Sequence, residues 1–141
     1  MTMVLSAEAQ NFNWLIDSFV DTAVGVTDAV AVSSDGLLIA MSRSLGRDDA
    51  EHVSAIVTGF VSLGQSTSVC FGFDGLNQVI VALKGGYLFV SSISDGSALG
   101  VVATSDCDIG LVGYQTTLLV ERAGAVLTPA LITELRGSVL T

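Results

Sequence analysis

The residues that could do chemistry are few and scattered. His52 is the only histidine, so any Ser-His-Asp or Cys-His relay would rest on that one position. It stands beside Glu51 just inside a helical pattern, where a solvated or partner-facing imidazole is a simpler reading than a catalytic base. Cys70 and Cys107 have no CxxC spacing and no histidine cluster beside them, and no HExxH or histidine pair offers a metal site. Asp48, Asp49 and Glu51, and the pair Asp106 and Asp108, could attract Mg²⁺ or Ca²⁺. Both groups stand where helices begin, and carboxylates there cap free N–H groups and oppose the positive dipole end. Gly59, Gly64, Gln65 and Ser66 form GxxxxG-Q-S, with glutamine where a phosphate-binding loop needs lysine. That lysine is the charge at the β/γ-phosphates, and the pattern falls inside a helix instead of after a strand. No catalytic residue, cofactor or metal is expected, and the chain reads as non-enzymatic.

Composition narrows the partners. The chain has 141 residues, expected to form one domain over 1–141; half are hydrophobic, 13% are charged and mean hydropathy is +0.70. Such a chain is not disordered. Fourteen acidic residues against five basic ones give net −9, which repels phosphate backbones and excludes nucleic acid as a partner. Val53 to Phe73 is 21 residues without a formal charge, about long enough to cross a bilayer. Hydroxyl and amide groups between Ser54 and Ser68 make it too polar for an isolated span, so no direct membrane insertion is expected. The start, Met1 to Glu8, carries no basic residue, which argues against a signal peptide. A cytoplasmic protein with reduced thiols is expected.

Periodicity supplies the elements. Phe12, Leu15, Ile16, Phe19, Val20 and Ala23 make one apolar stripe of a helix over 7–24, stopped by Gly25. Trp14 sits off that stripe, either packed against another element or held out as a contact aromatic. Ala29–Ser33 and Leu37–Met41 flank Ser34, Asp35 and Gly36 as a hairpin. A second helix is predicted over 48–71, with Val53, Val57, Phe60, Gly64, Thr67 and Phe71 on its inner face, widened by Ile56 and Leu63. Gln78–Leu83, Tyr87–Ile93 and Ala98–Ala103 follow as an antiparallel meander joined by glycine turns. Their near-continuous hydrophobicity predicts helices on both faces of the sheet. A third helix over about 108–127 places Val112, Leu119, Ala123 and Val126 inward. Thr128 and Pro129 open a short last helix to about Arg136. The fold class is α/β (α+β), ordered α-ββ-α-βββ-α, with that short helix at the end.

Two surfaces then want covering. Gln78–Leu83 is an apolar strand near a sheet edge, and the second helix carries apolar residues on more than one face. Both favour self-association, with a two-fold dimer the commonest solution.

In this order the segments resemble the roadblock/LC7 family, specifically the small actinobacterial proteins encoded beside a sensor kinase and a Ras-like GTPase. The resemblance is carried by 13–19, 31–37, 85–90, 92–97, 106–114, 118–122 and 127–131, nearly the whole chain. It implies a five-stranded antiparallel sheet with the second helix on one face and the first and third on the other. It also implies a homodimer joined through the third strand and the second helix. Candidate interface residues are Ile56, Phe60, Leu63, Gln78, Ile80 and Ala82. Roadblock domains of this bacterial type bind a small Ras-like GTPase on the paired second helices, some stimulating GTP hydrolysis, and supply no catalytic residue. Asp49, His52 and Val53 are the candidate GTPase contacts. A sensor histidine kinase and other proteins of the same operon are further implied partners, with membrane association through them. Two alternatives share the architecture: a small-molecule sensor of the PAS or profilin kind, and a purely structural dimerisation subunit. A sensor needs convergent polar groups in a pocket, and the strands offer little beyond Gln78, Ser91 and Ser92.

Overall fold

Ser6 begins the first helix: its hydroxyl accepts from Ala9 N–H, which satisfies one of the free donors of that end. The computed structural model describes residues 4–140; Met1 to Met3 and Thr141, the outermost positions of the expected domain, lie outside the described residues. The elements are α1 (Ala7–Thr22), β1 (Val26–Val32), β2 (Leu38–Met41), α2 (Arg47–Phe71), β3 (Gln78–Leu83), β4 (Gly86–Ser92), β5 (Ala98–Thr104), α3 (Ile109–Val126) and α4 (Pro129–Leu140). The expected order is met. β1 starts ahead of the expected Ala29 because Gly25, at φ +88°, turns the chain directly into the sheet.

The five strands pair antiparallel in the order β2-β1-β5-β4-β3. Two apolar layers cover them. Phe12 and Ile16 of α1 and Val112, Leu119 and Ala123 of α3 pack with Phe89, Leu99 and Val101 on one face. On the other, Ala50 and Val57 of α2 pack with Val30, Leu88 and Val90. Gly100 at the centre of β5 admits α2 closely, since a Cβ there would stand 2.5 Å from Val57 Cγ2.

Three expectations need correction. The inner face of α2 is Ala50, Ser54, Val57 and Ser68, with Phe71 and Thr67 exposed. Small residues face the sheet because the helix lies close to it, and their hydroxyls are satisfied locally: Ser54 donates to Glu51 C=O at 2.7 Å and Ser68 accepts from Gly75 N–H at 2.8 Å. Val126 is exposed, because the chain leaves α3 there and Leu127 turns inward in its place. The last helix runs past Arg136 to Leu140. Thr128 caps it by accepting from Leu131 N–H, and the i, i+4 series Leu131, Leu135 and Val139 sustains it.

That extra length matters. Leu131 and Leu135 join the α1–α3 layer while Val139 packs on the α2 layer, so α4 straddles the β2 edge. Two carboxylates fasten it. Glu134 accepts from Ser6 N–H at 2.7 Å and Ser6 Oγ–H at 2.6 Å, and Arg136 reaches Asp35 at 2.9 Å in the β1–β2 turn. The Ser6 hydroxyl, then its N–H, hold the Glu134 carboxyl below its ordinary value. The Ser33 hydroxyl lowers Asp35, and the Arg136 charge adds to it against a desolvation cost.

Candidate interaction surface

β3 lies at the end of the sheet and pairs with β4 alone. In an antiparallel ladder, residues alternate between those bonded to the neighbour and those whose N–H and C=O point away. The Lys84-Gly85 turn closes on the Leu83–Gly86 pair, and Asn77 C=O accepts from Ser92 N–H at 3.3 Å. Odd positions from 77 to 83 therefore bond β4. The backbones of Gln78, Ile80 and Ala82 face the open side.

Side chains of β3 alternate too. Val79 and Val81 pack into the α2 layer, so Gln78, Ile80 and Ala82 belong to the α1–α3 side. Gln78 is tethered there, donating to Ser91 Oγ at 3.0 Å and Gly113 C=O at 3.3 Å. Ile80 is 46% exposed.

α2 supplies the second half of the surface. At about 100° per residue, Val53, Ile56, Phe60 and Leu63 share one flank, beside the inner face of the helix. Ile56 and Leu63 are exposed, and Phe60 is half-buried. Val53 and Ile56 border an open groove of ≈ 420 Å³ that is also lined by Leu83, Gly85, Gly86, Tyr87, Leu88 and Val102. This flank therefore leans toward β3. Asp49 and His52 are exposed on the first turns of α2, while Val53 is half-buried against the α2 layer. The structure so brings Ile56, Phe60 and Leu63 together on one face and divides them from the side chains of Gln78, Ile80 and Ala82, which share only the strand.

Sequence reasoning missed the residues that join the two. Val79, Val81 and Leu83 are the β3 side chains on the α2 side, legible from period-two alternation once the face of Ile80 is fixed. It also missed Phe71 and Phe73, stacked at 5.8 Å between ring centroids beyond the sheet. Gly64 lets the chain fold back there, because Leu76 lies 2.8 Å from where a Cβ would stand. By length and composition α2 could cross a membrane, yet 17% of its most apolar window is buried. α2 is thus both apolar and largely uncovered.

The carboxylates singled out in the sequence serve local structure. Asp108 caps α3 by accepting from Leu111 N–H at 3.1 Å, and Asp106 accepts from Thr104 Oγ1–H at 2.6 Å. The GxxxxG-Q-S residues lie within α2. Among the described residues no group of three His, Cys, Asp or Glu could hold a metal ion.

Comparison with known proteins places this surface in context. The Roadblock/LC7 domain family matches residues 12–103. The crystal structure of a Roadblock/LC7 domain from Streptomyces avermitilis is 35% identical with TM-score 0.74, over 79% of this chain and 92% of that one. A second Roadblock/LC7 structure from the same organism is 30% identical with TM-score 0.65, over 84% and 99%. MglB of Myxococcus xanthus, 14% identical, shares the fold with TM-score 0.77 over 89% and 93%. No curated protein matches the sequence.

Proposed function

Because the chain belongs to the Roadblock/LC7 family, we propose that it is a non-enzymatic homodimeric regulator or adaptor that binds a small Ras-like GTPase. The observation that carries this reading is the continuity of the open β3 edge with the apolar flank of α2. A two-fold partner adding its own β3 through Gln78, Ile80 and Ala82 would satisfy the free backbone groups. The same operation would bring the second α2 over Val79, Val81 and Leu83 and bury Ile56, Phe60 and Leu63.

Two α2 helices side by side then form a platform with Asp49 and His52 at its rim. A GTPase seated there supplies its own nucleotide site; this chain supplies shape and, at most, reorders groups of the GTPase. The assembly is cytoplasmic and reaches the membrane through a sensor histidine kinase and other proteins of the same operon.

The test is a pull-down with the tagged protein from its own cell extract, run in parallel with GDP and a non-hydrolysable GTP analogue. A small GTPase retained differently in the two states is expected, since differential affinity is how a partner senses nucleotide. Retention without a nucleotide difference would make the protein a structural subunit. Absence of a GTPase from both lanes would favour a small-molecule sensor.

A further inference from the structure

The face opposite α2 has an unused feature of its own. α1 and α3 lie together there, and two adjoining hollows run along the line between them. One, of ≈ 210 Å³, is bordered by Leu15, Phe19, Gln115 and Leu118; the other, of ≈ 480 Å³, by Phe12, Ala125, Val126 and Glu8. Trp14, Leu15 and Arg122 border both. Trp14 is the only tryptophan and is 67% exposed, so the off-stripe indole is left largely uncovered by the fold.

The charges here are unusual for this chain. Arg43 pairs with Asp21 at 3.0 Å, Arg47 with Glu51 at 3.2 Å and Arg136 with Asp35 at 2.9 Å. Arg122, among the described residues, has no carboxylate within 4.0 Å, in a protein where acids outnumber bases fourteen to five. It is an unanswered cation between a mostly apolar outer hollow and an inner one that also carries Ser18, Thr22 and Gln115. Beside it, Gln115 Oε1 lies buried without a hydrogen-bond partner, so an amide that swings outward gains one from an occupant. Glu8 at the outer end fixes polarity: it repels a carboxylate there and leaves the outer hollow to apolar groups.

We propose that the α1–α3 groove docks an acidic, apolar peptide segment of a second protein, one carboxylate meeting Arg122 and apolar side chains filling the hollows that Trp14 borders. Guanidinium and indole are the side chains that dominate such contacts. The groove lies on the sheet face away from α2, so its occupant and a partner on the α2 platform bind without competing. The chain would then bridge two proteins.

The experiment pans a displayed library of short random peptides against the full-length protein, then titrates synthetic copies of the recovered peptides while reading Trp14 fluorescence. Recovered peptides should share Asp or Glu between apolar residues and shift Trp14 emission to the blue. Arg122→Glu should weaken them by about tenfold or more, and peptides with Lys in place of the acid should bind that variant better than the wild type. Lys84→Glu, at the distant β3–β4 turn, should have no effect. Both altered side chains are exposed, so circular dichroism and Tm should be unchanged. Recovery of no peptide, of peptides without an acid, or equal loss with Lys84→Glu would overturn the proposal. Higher assemblies of the protein that Trp14→Ala dissolves would name a second copy as the occupant and overturn it too.

Discussion

The two edges of the sheet are treated in opposite ways. At β2 the chain lays α4 across the strand, buries Leu131 and Leu135 on one side, packs Val139 on the other, and ties the helix down through Glu134 and Arg136. At β3 it leaves the backbone of Gln78, Ile80 and Ala82 open and sets apolar side chains beside it. An exposed edge invites pairing and aggregation, and proteins cover or charge the edges they do not use. Here the nearest charge on β3 is Lys84, in the turn beyond it. The contrast teaches that one edge is closed within the chain while the other stays available for pairing, which is the edge the proposed dimer would use.

The largest test of that contrast is a charge on the open side. Ile80→Asp or Phe60→Asp would bury an unpaired carboxylate twice in a two-fold dimer, at about 3–5 kcal/mol each, and should give monomer or aggregate by light scattering. A soluble, stable dimer from either would remove that face from the interface. On the closed side, Leu135→Ala should cost about 2–5 kcal/mol in chemical denaturation and leave the dimer intact. Dimer loss from this variant would mean the edges are not independent.

A finer test uses proline. Ala82→Pro removes an outward N–H and should weaken dimerisation by about 1 kcal/mol per lost bond, read by sedimentation, with the protomer still folded. Val81→Pro removes a bond to β4 instead and should destabilise the hairpin more than Ala82→Pro does. Equal effects of the two on protomer stability would contradict the assigned register.

The smallest effect is acid. Glu134 and Asp35 are held below their ordinary values of 4.5 and 3.8. Each therefore contributes stability that is complete above its ordinary value and is lost as pH falls through the lower folded one. Hydrogen exchange should show the α1–α4 corner loosening first on acidification, and Glu134→Gln should flatten that dependence. The β3 edge should show no matching change.

How much of this was legible follows from how each element signals burial. α1 was readable because large apolar residues mark its inner face, with Phe12 and Ile16 buried. α2 was readable in extent, yet its face was misplaced toward Phe71, because Ala50, Ser54 and Ser68 carry no hydrophobic signal and bury by proximity. The apolar flank itself was legible, since Ile56 and Leu63 exceed what one buried face requires. α4 was cut short at Arg136 because Gly137 and Ser138 interrupt the pattern, and the contact that rescues it, Val139 on the α2 layer, is tertiary. Gln78 was proposed for the dimer edge from its place in the strand, and its backbone does face the open side; the tether of its side chain to Gly113 depends on α3 and was not legible. That no carboxylate among the described residues pairs with Arg122 is of the same kind. Sequence shows that a charge is present and cannot show what fails to approach it.

The bond between Ser6 and Glu134 spans 128 positions. α1 can coil as soon as it leaves the ribosome, yet the carboxylate that completes its N-cap is made only after every strand. A contact of such separation needs the C-terminal segment to have been made, so during synthesis the β2 edge stays uncovered until α4 emerges. Until then a nascent protomer carries two bare edges instead of one. In the cell that interval is the window in which a chaperone, or a mistaken neighbour, meets this protein.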